Sequence, residues 1–84
     1  MPYQIIIKRQ VIKTLSKLNE PHYTAIKNAI YNLAEDPRPM GYVKLKNQDG
    51  YRIRVSNYRI IYDIHDNILL IEVIEVGHRR DIYG

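Results

Sequence analysis

Three arginines mark the segment of this sequence that is best equipped for chemistry. Apolar and polar residues alternate through residues 50–62, on either side of the turn pair Ser56-Asn57. A hairpin with a two-residue loop at this pair places Arg54 directly opposite Arg59 on the neighbouring strand. Arg52 then lies two residues from Arg54 on the same face, because side chains alternate along a strand. The pattern therefore predicts a strand face that carries three cations.

Such a face is unfavourable unless it binds something. Two cations about 5 Å apart at a protein surface repel by roughly 1 to 3 kcal/mol. Guanidinium groups bind phosphate oxygens in planar, bidentate fashion and stay charged. When an RNA 2′-hydroxyl attacks the adjacent phosphorus, negative charge grows on the phosphate oxygens, and preorganised guanidiniums stabilise it. The arginines therefore predict a site for a polyanion, with RNA as the candidate.

Proton transfer at such a site requires other residues, and the sequence offers few. His78 is a candidate acid or base, because histidine is the usual proton carrier near neutral pH; the alternative is an ordinary surface histidine. Tyr83 has a phenol that can position or relay a proton. Lys44 and Lys46 either bring two more cations towards the hairpin or are solvated loop lysines.

Composition limits the class of protein. The 84 residues predict one domain, 1–84, with a net charge of +4 and a pI of about 9.4. Such a charge favours nucleic acid or acidic protein partners, although it can also be unspecific. There is no cysteine, and the histidines lack metal-ligand spacing, so neither metal nor cofactor is expected. The longest apolar run, residues 68–71, cannot span a bilayer, and no signal-peptide core opens the chain; we expect a cytoplasmic protein.

The remaining elements position the hairpin. Residues 3–7 read as a strand and residues 9–18 as a helix. Asn19 is a candidate N-cap for a second helix that runs to about residue 35, and the short connection predicts an antiparallel helical hairpin. Residues 40–50 predict a short strand or an extended loop.

The last third of the chain predicts a three-stranded meander. A second two-residue turn at Asp66-Asn67 would pair Ile64 with Leu69. Gly77 would break the last strand, and the basic tail after it would curl over the arginines. The fold prediction is α+β, in the order β-α-α-β-β-β, with the helical hairpin packed on one face of a small, mainly antiparallel sheet. Three hairpin tyrosines would fill the core side, or else offer ring faces to bases; these are Tyr51, Tyr58 and Tyr62.

Two motifs connect these features to a known family. They are Tyr-Arg-Ile-Arg-Val-Ser-Asn-Tyr-Arg-Ile-Ile-Tyr-Asp-Ile at residues 51–64 and Val-Gly-His-Arg-Arg-Asp-Ile-Tyr at residues 76–83. Together with Lys44-Leu45, Asp36-Pro37 and the element order, they resemble the RelE family of toxins from bacterial and archaeal type II toxin–antitoxin systems. The resemblance covers essentially the whole chain.

The resemblance implies a metal-independent endoribonuclease that cleaves mRNA in the A site of the 30S ribosomal subunit and so halts translation. It also implies a RelB-like antitoxin that neutralises the toxin and, only in complex with it, binds operator DNA. Membrane partners are not expected. Matched by motif, the implied catalytic residues are Arg52, Arg54, Arg59, Arg79 and Tyr83. With the candidates from residue chemistry, the predicted catalytic set also includes His78, and the predicted RNA-binding residues are Lys44, Lys46 and Arg80.

One departure from the family concerns the general base. The best-known members carry lysines where Arg52 and Arg54 stand, and one of those lysines is the proposed base. Arginine is a poor base, so the proton acceptor here is left open between His78, Tyr83 and a 2′-hydroxyl that loses its proton without a strong base.

Two other functions fit the same fold. A ParE-like toxin would inhibit DNA gyrase by binding it and would cut no RNA, although such chains usually lack the concentrated strand arginines. A non-catalytic, RNA-binding regulatory module would also explain a basic face.

Overall fold

The fold is α+β, with two helices packed on a mixed, mainly antiparallel sheet, as the sequence predicts. The sheet has five strands, one more than the predicted order, because a two-residue strand forms within residues 40–50. The computed structural model of the protein describes residues 2–78 and Arg80. In chain order the elements are β1 (Gln4–Ile7), α1 (Arg9–Ser16), α2 (His22–Asn32), β2 (Val43–Lys44), β3 (Tyr51–Val55), β4 (Tyr58–His65) and β5 (Leu70–His78). The strand order is β1-β5-β4-β3-β2, and β1 runs parallel to β5 while the other pairs are antiparallel.

Both helices end earlier than their sequence pattern predicts. α1 ends at Ser16 instead of residue 18, and α2 ends at Asn32 instead of residue 35. The predicted N-cap of α2 is wrong as well, because no side chain caps the helix at its first residue. Instead, the carboxylate of Glu20, just before the helix, accepts two hydrogen bonds from Thr24 in the first turn. They come from its backbone nitrogen at 3.0 Å and from its hydroxyl at 2.6 Å.

The core lies between the helices and one face of the sheet. Its buried apolar residues come from every layer: Val11, Ile26, Ile30, Leu33, Ile53, Ile60, Tyr62, Ile71, Val73 and Val76. Tyr51 and Tyr58 pack against this cluster, so the prediction that the hairpin tyrosines fill the core side is confirmed. Tyr62 is fully buried, which raises the pKa of its phenol, and its hydroxyl donates to the Pro37 carbonyl at 2.6 Å.

The hairpin register is the predicted one. Arg54 pairs with Arg59, and Ile53 pairs with Ile60. Ser56 takes a φ of 58°, in the left-handed region that two-residue hairpin loops use.

The predicted register between β4 and β5 is wrong. Ile64 pairs with Ile71 and not with Leu69, because the connection is longer than two residues. It consists of a 3-10 turn at Asp66–Ile68 followed by Leu69 in the left-handed region, with φ of 52°. A shift of two residues keeps each side chain on its face, so the core side of β4 is preserved.

A bulge then changes the faces of β5. Tyr62 pairs with Val73 but Ile61 pairs with Glu75, so Ile74 is the extra residue. Every residue after a bulge of one residue lies on the opposite face from the one that simple alternation predicts. β5 continues through Gly77 to His78, so the prediction that Gly77 ends the strand is also wrong.

An exposed network holds the β4–β5 turn to the rest of the fold. Asp66 accepts a hydrogen bond from the Tyr3 hydroxyl at 2.6 Å and lies 2.9 Å from an Arg38 nitrogen. The Arg38 guanidinium is also 5.5 Å from the centroid of the Tyr51 ring. The hydrogen bond from Arg38, and then that from Tyr3, lowers the pKa of Asp66.

Because the pKa of Asp66 is lowered in the fold, the difference in stability between the parent chain and an Asp66→Asn variant should depend on pH. Ionised Asp66 contributes its full stabilisation above the unfolded-state pKa of about 3.9, and the contribution is lost as the pH falls through the lower folded-state pKa. We therefore expect a lower urea midpoint for the variant at neutral pH, and convergence of the two midpoints in strong acid. Asp49→Asn, in the β2–β3 turn, is the matched control. A difference between the midpoints that stays constant down to the lowest pH would contradict this account.

Candidate functional site

The three hairpin arginines share the sheet face that points away from the helices. Ile53, between Arg52 and Arg54 in sequence, and Ile60, next to Arg59, are buried in the core on the other side. We call this surface, formed by Arg52, Arg54 and Arg59, the arginine face. The structure therefore brings together these three predicted site residues.

Exposure differs sharply among the three. Arg54 is exposed, Arg52 is half-buried, and Arg59 is only 5% exposed. In the sheet Arg59 has Arg54 on one side and Gly77 on the other, and Gly77 adds no side chain at that level. A side chain held by packing loses little freedom when it binds, so Arg59 is the most preorganised cation of the face.

Two concavities meet at Arg54. A hollow of about 60 Å³ lies at the hairpin tip, lined by Arg54, Ser56, Asn57, Tyr58 and Arg59. On the other side, a groove of about 580 Å³ follows the edge of β3 beyond the short β2, and its lining includes Arg52, Arg54, Asn32, Met40 and Gly41. A chain of phosphates that passes from the groove to the tip would meet all three arginines.

The lysines lie elsewhere. Lys44 pairs with Tyr51 in the β2–β3 register, so its side chain is on the helix side of the sheet. Its amino group is 5.3 Å from the centroid of the Tyr51 ring and donates to the Gln48 carbonyl at 3.4 Å. Lys46 is exposed in the turn that follows. Lys44 is therefore close to the hairpin, which is one of the two alternatives that the sequence left open, but does not add to the arginine face.

His78 is also on the helix side, and its expected position over the arginines is wrong. It pairs with Tyr58 across the sheet, and the two rings meet edge to face with centroids 5.5 Å apart. Without the bulge at Ile74, His78 would lie on the arginine face. The backbone nitrogen of Arg80 donates to His78 Nδ1 at 3.3 Å. The other two predicted site residues of the tail, Arg79 and Tyr83, lie outside the described residues.

The far end of the arginine face is acidic. Asp63 pairs with Glu72, and His65 Nε2 lies 3.7 Å from the Glu72 carboxylate and 4.0 Å from that of Asp63. Carboxylates repel phosphates, so this end would confine a bound polyanion to the hairpin end of the sheet. Alternation from Arg59 already puts Asp63 on this face in the sequence, but a boundary of the site was not predicted from it.

Neither a metal site nor a membrane span is found in the part of the chain that the structure covers. Within residues 2–78 and 80, no three histidine or carboxylate side chains come close enough together to bind a metal ion. The two helices of that same part are too short and too polar to cross a bilayer.

Comparisons with known proteins agree with this fold. The family model described as the ParE toxin of type II toxin–antitoxin systems, parDE, matches residues 5–83. A search of curated proteins finds no significant match.

Several solved toxin structures have the same fold. RelE in the archaeal RelE–RelB complex from Pyrococcus horikoshii is 29% identical, with a TM-score of 0.84 over 94% of this chain and 97% of that one. The E. coli RelBE complex gives 28% identity and a TM-score of 0.78 over 90% and 95% of the two chains. The Methanococcus jannaschii RelB–RelE complex gives 25% and 0.76 over 94% and 95%.

Proposed function

Because this chain belongs to the RelE/ParE superfamily of toxins from type II toxin–antitoxin systems, we propose that it stops translation by cutting mRNA in the ribosomal A site. The observation that carries the proposal is the arginine face, in which Arg59 is buried and two further arginines flank it. A toxin that acted only by binding a protein would gain little from three guanidiniums clustered on one strand pair, since like charges across a sheet are destabilising.

The proposed reaction is an in-line attack by the 2′-hydroxyl on the adjacent phosphorus. The new 2′-oxygen–phosphorus bond forms as the bond to the 5′-oxygen breaks, which yields a 2′,3′-cyclic phosphate and a free 5′-hydroxyl. The 2′-hydroxyl loses one proton, and the leaving 5′-oxygen gains one. Arg52, Arg54 and Arg59 bind the phosphate and stabilise the charge of the transition state.

Positioning supplies much of the rate in this scheme. Holding the 2′-hydroxyl in line with the leaving oxygen can contribute as much as ~7 kcal/mol in favourable cases. Arg79 completes the phosphate clamp in the proposal, and Tyr83 is the residue that we assign to proton transfer. The position of His78 on the helix side argues against a role for it in proton transfer at the arginine face.

The partners follow from the same proposal. We assign to this chain a RelB-like antitoxin, because the matched toxins from three species were solved as RelE–RelB complexes. The toxin–antitoxin complex, and not the toxin alone, would bind operator DNA. A substrate on the translating ribosome places the proposed activity in the cytoplasm.

A second candidate is supported by the family model, whose description names ParE. A ParE-like toxin would inhibit DNA gyrase by binding it and would leave mRNA intact. Such a toxin has no use for the hollow between Arg54 and Arg59, so we rank this function below mRNA cleavage.

Mapping of 5′ ends after brief induction separates the candidates. We expect new 5′-hydroxyl ends at codon-spaced positions within translated messages, and none on a matched message whose start codon has been mutated. Intact messages with a supercoiling defect would establish the gyrase candidate and overturn the proposal. RNA binding without cuts or a supercoiling defect would leave a non-catalytic RNA-binding module.

A further inference from the structure

The outer edge of β3 is longer than the strand that covers it. β2 has only two residues, and its register places Val43 opposite Arg52 and Lys44 opposite Tyr51. β3 continues beyond this pairing, so among the described residues no strand lies next to Ile53–Val55 on that side. We call this part of the strand the free edge of β3. The groove of about 580 Å³ lies along it.

A free edge exposes backbone donors and acceptors at every second residue. The two-residue hairpin loop makes Val55 and Tyr58 a hydrogen-bonded pair, so the N–H and C=O of Arg54 point away from β4. The Leu45 nitrogen donates to the Gly50 carbonyl at 3.0 Å, which agrees with this alternation four residues earlier. The free edge therefore offers one backbone donor and one acceptor to a further strand.

The groove beside the free edge has two unlike sides. Arg52 and Arg54 line it from the arginine face, whereas apolar surface comes from Ala29, Met40 and Val55. Val55 packs against the core on the helix side, and Met40 is fully exposed. Successive side chains of a strand point to opposite faces. A strand in this groove would therefore present every second side chain to the arginines and the others to apolar surface.

Charge decides which strand fits this edge. A second copy of the chain that paired through the same edge would place arginines next to arginines, and like charges across a strand pair are destabilising. Carboxylates in that position would form charge-assisted, bidentate hydrogen bonds with the guanidiniums. RNA supplies phosphates for the arginines but has no strand backbone to pair with the edge. The groove is therefore best matched by an acidic polypeptide.

We propose that the free edge of β3 is a docking site for an extended, acidic segment of a protein partner, which adds to the sheet as a strand. The segment alternates carboxylates, which contact Arg52 and Arg54, with apolar side chains, which cover Met40. Strand addition gains affinity from backbone hydrogen bonds and specificity from the alternating side chains. The bound segment also excludes RNA from the two arginines, and only this consequence rests on the proposed function.

The test uses two fluorescein-labelled synthetic peptides of identical composition, Asp-Val-Asp-Val-Asp-Val and Asp-Asp-Asp-Val-Val-Val, followed by fluorescence anisotropy. We expect the alternating peptide to bind about tenfold more tightly, because only its carboxylates and apolar side chains separate onto the two sides of the groove. In hydrogen exchange followed by NMR, the Arg54 amide should exchange more slowly when the alternating peptide is bound. The Ile53 amide, which already faces β4, should not change.

A variant of the groove wall provides an independent readout. Met40→Ser should weaken binding of the alternating peptide about tenfold, which is the usual value of burying one large apolar side chain. Tyr31→Ser is the matched control, because Tyr31 lines the cleft between α2 and α1 instead. It should bind the peptide as the parent chain does. Both side chains are exposed, so both variants should fold.

Equal binding of the two peptides, or an Arg54 amide whose exchange does not change, overturns this proposal even where 5′-end mapping shows mRNA cleavage. Dimerisation of the chain with protection of the same amide would make the occupant a second copy and would also overturn it. Displacement of a labelled uridine oligomer by the alternating peptide supports the shared use of the arginines. Peptide binding with protection of the Arg54 amide, but without any RNA binding, would support the docking site and remove the support for mRNA cleavage.

Discussion

Replacement of Arg59 by glutamine should lower the rate of mRNA cleavage about 100- to 1,000-fold, which is the usual cost of removing one preorganised donor from a charged transition state. Arg59 is the arginine that packing holds most firmly, at 5% exposure, and it lines the hollow at the hairpin tip. In the proposed mechanism its guanidinium binds the phosphate, and a buried side chain has little freedom to lose on binding. The measurement is the rate of appearance of 5′ ends on a translated message, together with growth arrest after induction.

The controls separate loss of chemistry from loss of fold. Arg9→Gln removes the same charge from the start of α1 and should leave cleavage unchanged. Circular dichroism and binding of the cognate antitoxin report whether Arg59→Gln folds. Arg54→Gln carries its change on an exposed side chain, so it tests the arginine face even where the buried variant unfolds. Normal cleavage by both Arg54→Gln and Arg59→Gln would contradict our assignment of the site.

Replacement of Ile60 by alanine should destabilise the fold by about 3 kcal/mol, because truncation of a buried isoleucine loses its burial and leaves a cavity. Ile60 is fully buried and lies between the side chains of Ile53 and Val76 in the sheet. Domains of this size have total stabilities of roughly 5 to 15 kcal/mol, so the loss is a large fraction. Urea unfolding at neutral pH measures it.

Ile12→Ala is the matched control, since Ile12 is 54% exposed on α1. Alanine is the better helix former, so this variant should be as stable as the parent or slightly more stable. Ile60→Ala should also make growth arrest temperature-sensitive, because a less stable fold loses the strand that positions the neighbouring Arg59 as the temperature rises. An equal loss of stability in the two variants would show that the core is not where the structure places it.

The sequence by itself determined the hairpin and therefore the arginine face. The register is fixed locally by the turn residues Ser56-Asn57 and by the strict apolar alternation on both sides of them. Arg54 pairs with Arg59 as predicted. The class of fold follows from the element order, and the predicted helical hairpin on one sheet face was correct. These features depend on residues that are close together in the chain.

Only the tertiary structure decided what surrounds that face. The parallel pairing of β1 with β5 joins residues more than 60 positions apart, which no local pattern specifies. The β4–β5 turn is held by Asp66 through Tyr3 and Arg38, so its length depends on distant partners. A two-residue turn was predicted there because Asp66-Asn67 looks like one when read alone.

Among the features that the tertiary structure determines, the bulge at Ile74 has the largest effect on the candidate site. It lets Val73 and Val76 both face the core, three residues apart, because burial of both apolar side chains outweighs regular alternation. The same extra residue turns His78 to the helix side, beside Tyr58. Its trace in the sequence is the three-residue spacing of Val73 and Val76, and of Glu72 and Glu75. Alternation along the chain thus placed the arginines, whereas packing of the core against the helices placed the histidine.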